Sequence, residues 1–141
     1  MRSAVLPIIV AALLASTPAA AGVAVIAHPS VGIDSLTADE VMQLYMGRTG
    51  QLPDGTEVQP LDLGEGSRPR AEFIGRVLGR SEQQLRSYWS RMIFTGKARP
   101  PRRMNNTAEV LRTVATMPGY IGYVDVNDAT STKIKVLYRI E

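Results

Sequence analysis

The stretch EVQPLDLGEGSRPRAEFIGRVLG, residues 57–79, joins a strand to a helix through a short glycine-rich loop. Its first part alternates through Val58 and Leu61, which predicts a short strand. Pro69 suits the first turn of a helix, where its missing N–H costs nothing, and Gly79 ends the apolar helical pattern. A strand, a tight loop and a helix in this order are typical of an α/β fold.

The residues on the N-terminal side of this stretch predict another strand and another helix. Residues 23–27 form a continuous apolar run that Pro29 stops, as expected of a buried strand. Thr37 and Glu40 have the spacing of a capping box, and Gly47 marks the end of the helix that follows.

The residues on the C-terminal side begin with a second capping box, formed by Ser81 and Gln84. It opens a helix whose apolar residues recur on one face, and we expect this stripe to pack in the core: Leu85, Tyr88, Trp89, Met92 and Ile93. Residues 96–106 contain two consecutive prolines and predict an irregular connection.

The end of the chain predicts a last helix and two closing strands. The helix should begin near Thr107 and continue to Met117, before the Pro-Gly pair that breaks it. The segments YIGYVDV and KIKVLYRI favour strands. The order of elements therefore predicts an α/β fold with a single three-layer lobe, in which helices flank a central mixed sheet.

The first residues limit where the protein works. A charged start, a short apolar run and small residues up to Ala21 indicate a secretory signal peptide over residues 1–21, and the apolar run is shorter than a membrane anchor needs. We therefore expect residues 22–141 to form one exported, periplasmic domain with no membrane insertion after cleavage. There is no Cys to provide a lipid anchor or a disulfide.

Composition argues against nucleic-acid binding and against catalysis. Without Arg2, residues 22–141 contain 15 Lys and Arg against 13 Asp and Glu, a surplus too small to predict a nucleic-acid partner. His28 has no clustered ligands, so no metal and no cofactor are predicted. Asp62 and Glu65 could in principle transfer protons, but nothing in the pattern marks either of them as tuned for it. We expect a protein that is not an enzyme.

The glycine-rich loop remains as the candidate site. The start of a helix presents unpaired N–H groups and the positive end of the helix dipole, which favour a bound anion. Gly66 and Ser67 lie at this start, and Arg68 and Arg70 add charge and forked hydrogen-bond donors. The alternative is that Ser67 only caps the helix and Arg70 covers the edge of the sheet. These residues alone favour neither interpretation over the other.

Three motifs resemble those of the phosphate-binding proteins of ABC uptake systems. LTADEVMQLYMGR at residues 36–48 is similar to a Leu-Thr-x-x-Glu-Leu opening followed by an Ile-Phe- or Ile-Tyr-x-Gly-Lys stretch. GEGSRPRAEF at residues 64–73 resembles the phosphate loop Asp-Gly-Ser-Gly-Thr-Arg-x-x-Phe, and MPGYIGYV at residues 117–124 resembles a Pro-Gly-Ala-Ile-Gly-Tyr motif. The order and spacing agree over roughly residues 23–138, as expected of a periplasmic-binding-protein-like fold.

The resemblance implies a single lobe of a protein that normally has two, with the ligand clamped between them. Ser67 matches the loop serine that binds phosphate, and Arg70 matches an arginine frequent at the helix start. Arg68 and Pro69 replace the Gly-Thr of the family, and Leu63 stands where another arginine is usual. The resemblance therefore implies weak binding of phosphate or a similar small oxyanion.

Two functions stay open at this point. The first is a non-enzymatic oxyanion-binding protein related to the substrate-binding components of ABC transporters, whose cleft an envelope partner or a second copy would close. The second is a periplasmic adaptor or scaffold that keeps the lobe fold without binding a ligand. The two differ in whether Ser67 and Arg70 converge on one point.

Overall fold

The computed structural model describes residues 2–5 and 22–141. Apart from residues 2–5, the predicted signal peptide lies outside the described residues, so its cleavage stays a prediction. Among the residues that are described, no helix combines the length and the apolar character needed to cross a membrane.

Strands and helices alternate along residues 22–141. The elements are β1 (Val23–Ala27), α1 (Ala38–Tyr45), β2 (Gln59–Asp62), α2 (Arg68–Glu72), α3 (Glu82–Phe94), β3 (Arg102–Arg103), α4 (Thr107–Thr116), β4 (Tyr120–Asp125) and β5 (Lys135–Ile140). Helix α2 continues without a break into a π-helical stretch, Phe73–Leu78, so that one helical segment occupies residues 68–78.

The five strands form one sheet in the order β3-β2-β4-β1-β5. Strand β2 pairs in parallel with β3 and β4, whereas β1 is antiparallel to both β4 and β5. Every residue of β1 is fully buried, because β1 lies inside the sheet and helices cover its faces. The predicted mixed sheet is confirmed.

Helices cover both faces of the sheet, and successive residues of β4 point towards opposite faces. Tyr123 stacks on Phe73, with ring centroids 4.0 Å apart, and meets the edge of Tyr45 from α1. Gly122 faces the other way, where a Cβ would lie 2.5 Å from Val110 Cγ1 of α4. Glycine therefore allows α4 to lie this close to the sheet, and the three-layer lobe is confirmed.

Two regions differ from the sequence-based expectation. Helix α3 begins at the predicted capping box, but Leu85 is the one buried residue of its stripe, and Ile93 is 57% exposed. Tyr88 and Trp89 of the stripe are partly buried and pack against the core, so the domain covers the first part of the apolar face and leaves its C-terminal end exposed. The stretch predicted to be irregular contains β3, which pairs Leu61 with Arg102 and Asp62 with Arg103.

Candidate anion-binding site

The glycine-rich loop leads from the carboxyl end of β2 into α2. Gly66 has a φ of 89°, a left-handed conformation that glycine adopts without strain and that turns the chain towards the helix. The hydroxyl of Ser67 then accepts the N–H of Arg70 at 3.2 Å, so Ser67 caps α2 as predicted. Among the residues that the structure describes, no heavy atom outside the adjoining residues lies within 4 Å of a Cβ built on Gly64 or Gly66, which leaves this backbone open to approach.

Arg70 is held by two carboxylates. Its side chain is 4% exposed, and its Nε and Nη2 donate to the two carboxylate oxygens of Glu82 at 2.8 and 2.9 Å. Its Nη1 donates to Asp62 Oδ2 at 2.6 Å and to the carbonyl oxygen of Leu63 at 3.1 Å. The fork that the sequence suggested for an oxyanion thus binds a carboxylate of α3 and ties that helix to the loop.

Hydrogen bonds from β4 and from the residue after β2 fix the Asp62 carboxylate. Its Oδ1 accepts the hydroxyl of Tyr123 and the N–H of Leu63, the latter at 2.8 Å. The Tyr45 hydroxyl, on the same face, donates to the carbonyl oxygen of Leu61 at 2.8 Å. The end of β2 therefore lies on a layer of buried aromatic rings whose hydroxyl groups all have partners.

The protonation states of this cluster follow from its burial and its contacts. Burial raises the pKa of Tyr45 and of Tyr123, and the nearby charge of Asp62 adds to both shifts, so both phenols stay neutral. Burial lowers the pKa of Arg70, but its bonds to Glu82 and the charge of Asp62 outweigh this effect and raise the pKa overall. The hydrogen bond from Arg70 is the main cause that lowers the pKa of Glu82. Two carboxylates thus share one guanidinium, which leaves the cluster with a negative charge.

A cleft of about 500 Å³ opens beside this cluster, between the loop, α3 and β3. Charged, polar and apolar residues line it: Asp62, Glu65, Arg70, Leu85, Arg86, Trp89, Ser90, Ile93, Pro100, Pro101 and Arg103. Among the four predicted site residues, Arg70 lines the cleft, Gly66 and Ser67 lie on the adjoining loop, and Arg68 is the first residue of α2. Glu65 reaches across to Arg86, with Oε1 and Nη1 2.8 Å apart.

A larger groove, of about 660 Å³, lies at the opposite end of β2. Glu57 is the one charged side chain that lines it, and most of its other lining residues come from residues 49–51 and 119–120. A negative side chain and no cation make this groove unsuitable for an anion, so the smaller cleft is the better candidate.

Sequence reasoning missed the residues that hold Arg70 in place. Glu82 directly follows the helix cap Ser81, and an acidic residue there is fully explained by the helix dipole. Tyr123 lies in a segment that is typical of an apolar strand, which does not reveal its hydroxyl contact with Asp62. The available signal was Arg70 itself: an arginine predicted to face inwards requires carboxylate partners, which indicates that acidic residues lie nearby in the fold.

No family model matches the sequence, and no curated protein matches it significantly. Solved structures do match. An ABC-type phosphate transport receptor from Vibrio cholerae aligns with a TM-score of 0.65 and 11% identity, over 83% of this chain and 45% of the receptor. A putative phosphate ABC transporter substrate-binding protein with bound phosphate, from Clostridium perfringens, aligns with a TM-score of 0.65 and 15% identity, over 83% and 44%. PstS from Borrelia burgdorferi aligns with a TM-score of 0.64 and 13% identity, over 83% and 46%.

The chain spans less than half the length of these proteins. At such low identity the likeness concerns the fold, and the resemblance that the sequence motifs carried is confirmed at that level. The chain has the fold of one lobe of a phosphate-receptor-type periplasmic binding protein.

Proposed function

We propose that this protein is an exported, periplasmic, non-enzymatic binding protein for phosphate or a similar small oxyanion. The observation that carries the proposal is the position of Ser67, which caps an uninterrupted helical segment after the loop that follows β2 in a phosphate-receptor fold. The open backbone at Gly64 and Gly66 allows an anion to approach the start of this segment.

Charge around the loop makes the proposed binding weak. The anion would meet Ser67 at the end of the loop, Arg68 at the start of α2 and one face of the Arg70 cluster, whose own charge is negative. Glu65 is half exposed and adds a further negative charge, although Arg86 offsets part of it. We expect a dissociation constant on the order of 0.1–10 mM for the isolated domain. Because the lobe is open on one side, an envelope partner or a second copy that closed the cleft would strengthen the binding.

Thermal unfolding in graded phosphate tests this function. A ligand that binds the folded state raises the melting temperature, so phosphate should raise it beyond chloride at equal ionic strength. Ser67→Ala should weaken the phosphate-dependent rise, because it removes the hydroxyl beside the open backbone. Arg68→Ala should weaken it as well, and Glu65→Gln should strengthen it by removing a like charge.

The matched control is Ser81→Ala. Ser81 caps α3 as Ser67 caps α2, so both substitutions remove a helix cap, but Ser81 lies outside the loop. Both variants should lose about 1 kcal/mol of stability, and only Ser67→Ala should change the response to phosphate. Equal responses of the two variants to phosphate would contradict a site at Ser67.

The second candidate, an adaptor lobe without a ligand, is favoured by one observation. The Arg70 guanidinium already donates four hydrogen bonds to protein oxygens, so a structural link between the loop and α3 is enough to account for this residue. A melting temperature that responds equally to phosphate and to chloride, up to tens of millimolar, would favour the adaptor over the binding protein.

Export is tested separately from binding. Mass spectrometry of the protein in producing cells should find a chain that begins near Gly22, as the three-part pattern of residues 1–21 predicts. A membrane-bound chain that still begins with Met1 would contradict export as a soluble protein.

A further inference from the structure

The positive charge of this protein is concentrated in one part of the chain. Residues 83–108 contain six Lys and Arg and no Asp or Glu, whereas the rest of residues 22–141 contains nine Lys and Arg against 13 Asp and Glu. The six side chains are Arg86, Arg91, Lys97, Arg99, Arg102 and Arg103, and all are exposed. The small net charge of residues 22–141 is therefore the sum of a strongly basic segment, residues 83–108, and an acidic rest. We call residues 83–108 the basic region.

The C-terminal end of α3 presents apolar side chains within this basic region. Phe94 is 92% exposed and Ile93 is 57% exposed, the two most exposed large apolar side chains in residues 22–141. Arg91 precedes Phe94 by three residues, which places both on the same side of the helix. We call Arg91, Ile93, Phe94, Lys97 and Arg99 the cationic tip.

Backbone hydrogen bonds hold the cationic tip in a defined shape. Gly96, with a φ of 68°, ends the helix in the left-handed conformation. The N–H of Lys97 donates to the carbonyl oxygen of Met92, and the N–H of Gly96 donates to that of Ile93, both at 3.1 Å. Phe94 is thus presented to solvent by an ordered helix end.

No carboxylate within residues 22–141 forms a salt bridge with Arg91, Lys97 or Arg99. Their charges remain available to an anionic surface, in contrast to Arg70 and Arg86, which are paired. The tip therefore offers exposed apolar side chains and three cations within residues 91–99 of the chain.

We propose that the cationic tip docks this protein reversibly on a bilayer rich in anionic phospholipid headgroups. Ile93 and Phe94 would enter the interface between headgroups and acyl chains, while Arg91, Lys97 and Arg99 would contact the headgroup phosphates. The two apolar side chains or the three cations alone would not hold the protein on a membrane. The strength of membrane binding depends on the sum of the apolar area buried and the electrostatic attraction. This docking requires no oxyanion at the Ser67 loop, although Ile93 also lines the cleft beside that loop.

The size and shape of the tip favour a bilayer over a macromolecular partner. One aromatic side chain buries about 150–250 Å², whereas a stable protein interface takes about 800 Å² from each partner. Proteins that bind single-stranded nucleic acid stack successive bases on several aromatic rings along a groove. Phe94 projects as a single exposed ring, which suits insertion into a bilayer.

Vesicle flotation with the purified protein tests the proposal. Vesicles of phosphatidylcholine with about 30% phosphatidylglycerol should bind it, vesicles of phosphatidylcholine alone should not, and raising the salt should release it. Phe94→Ala should weaken binding about tenfold or more, since it removes the main inserted group. Replacing Lys97 and Arg99 together by Gln should weaken it roughly 25-fold, at about fivefold for each cation.

Matched substitutions elsewhere serve as controls. Met117 is 50% exposed and lies outside the basic region, and Lys133 is an exposed cation outside it. Met117→Ala and Lys133→Gln should bind vesicles as the unchanged protein does. All variants have the same N-terminal residues. A difference in vesicle binding between the tip variants and the control variants therefore comes from the cationic tip.

Five results would overturn the proposal. The first four are absence of binding to anionic vesicles, equal binding to both kinds of vesicle, binding that survives both tip variants, and binding to single-stranded DNA in place of vesicles. Release by inorganic phosphate beyond the effect of chloride at equal ionic strength would assign vesicle binding to the Ser67 loop and would also overturn the proposal.

Discussion

Helices α3 and α4 carry apolar stripes of similar appearance in the sequence, but they meet very different surroundings. Val110 and Val114 of α4 are fully buried against β4, and the absence of a side chain at Gly122 lets the helix approach. Helix α3 has Leu85 as its one buried residue and ends in the exposed pair Ile93 and Phe94. Helical spacing therefore identifies an apolar face, but it does not show whether the same domain covers that face.

The difference between the helices extends to how each is attached. Helix α4 is held by apolar packing on the sheet, whereas the first turn of α3 is tied to the loop by the ion pair between Glu82 and Arg70. The hydroxyl of Tyr88 adds a hydrogen bond of 2.6 Å to the carbonyl oxygen of Met46. A helix held by polar links at one end can expose the other end, and this is the end on which the cationic tip lies.

Removing the link at Arg70 should have the largest effect on stability. Arg70→Ala should lower the free energy of unfolding by about 3–5 kcal/mol, because it leaves Asp62 and Glu82 without their shared partner. Urea denaturation measures the loss. The control is Arg86→Ala, which breaks an exposed ion pair of 2.8 Å with Glu65 and should cost about 1 kcal/mol or less. Similar losses in the two variants would show that the cluster does not hold α3.

The two helices should also differ when similar side chains are shortened. Val110→Ala in α4 should cost about 1.5–3 kcal/mol, because Val110 is fully buried and its truncation leaves a cavity. Ile93→Ala in α3 removes more atoms but should cost about 0.5 kcal/mol or less, because most of the side chain is in water. Equal losses in urea denaturation would mean that α3 packs as firmly as α4.

The Arg70 link should weaken in acid. Its hydrogen bond lowers the pKa of Glu82 in the folded state below the ordinary value of 4.5, so the stabilisation is present above that value and is lost as the pH falls through the folded-state pKa. The effect should be smaller than that of Arg70→Ala, since the Glu82 side chain is 34% exposed. Urea denaturation from about pH 7 to about pH 3 should show Glu82→Gln less stable than the unchanged protein at neutral pH and the gap closing in acid.

Several elements of this fold were predictable from local patterns. The apolar run of β1, the caps at Ser67 and Ser81 and the start of α4 at Thr107 all lie where the sequence places them. Each depends on residues within a few positions of one another, and short-range chemistry specifies them. The mixed sheet followed from the order of the elements and is confirmed.

The contacts that define the candidate site depend on residues far apart in the chain. Arg70 meets Glu82 across 12 positions, and Tyr123 meets Asp62 across 61. No local pattern indicates that β2 and β4 are parallel neighbours, which is what brings Tyr123 to Asp62, or that the first turn of α3 lies beside Arg70. The sequence could therefore identify the loop and its cap, but it could not show that Arg70 already has carboxylate partners.

The smallest expected effect comes from the most exposed aromatic residue. Phe94→Ala should change the free energy of unfolding by about 0.5 kcal/mol or less, because the ring is 92% exposed and its removal leaves no cavity. Alanine also favours a helix more than phenylalanine, by about 0.5 kcal/mol, which offsets the small amount of packing that the ring provides at the end of α3. The control is Leu85→Ala in the same helix, which truncates its one buried residue and should cost about 2–5 kcal/mol in urea denaturation. A destabilisation above about 1 kcal/mol for Phe94→Ala would mean that the ring packs on the domain, and the contrast between α3 and α4 would fail.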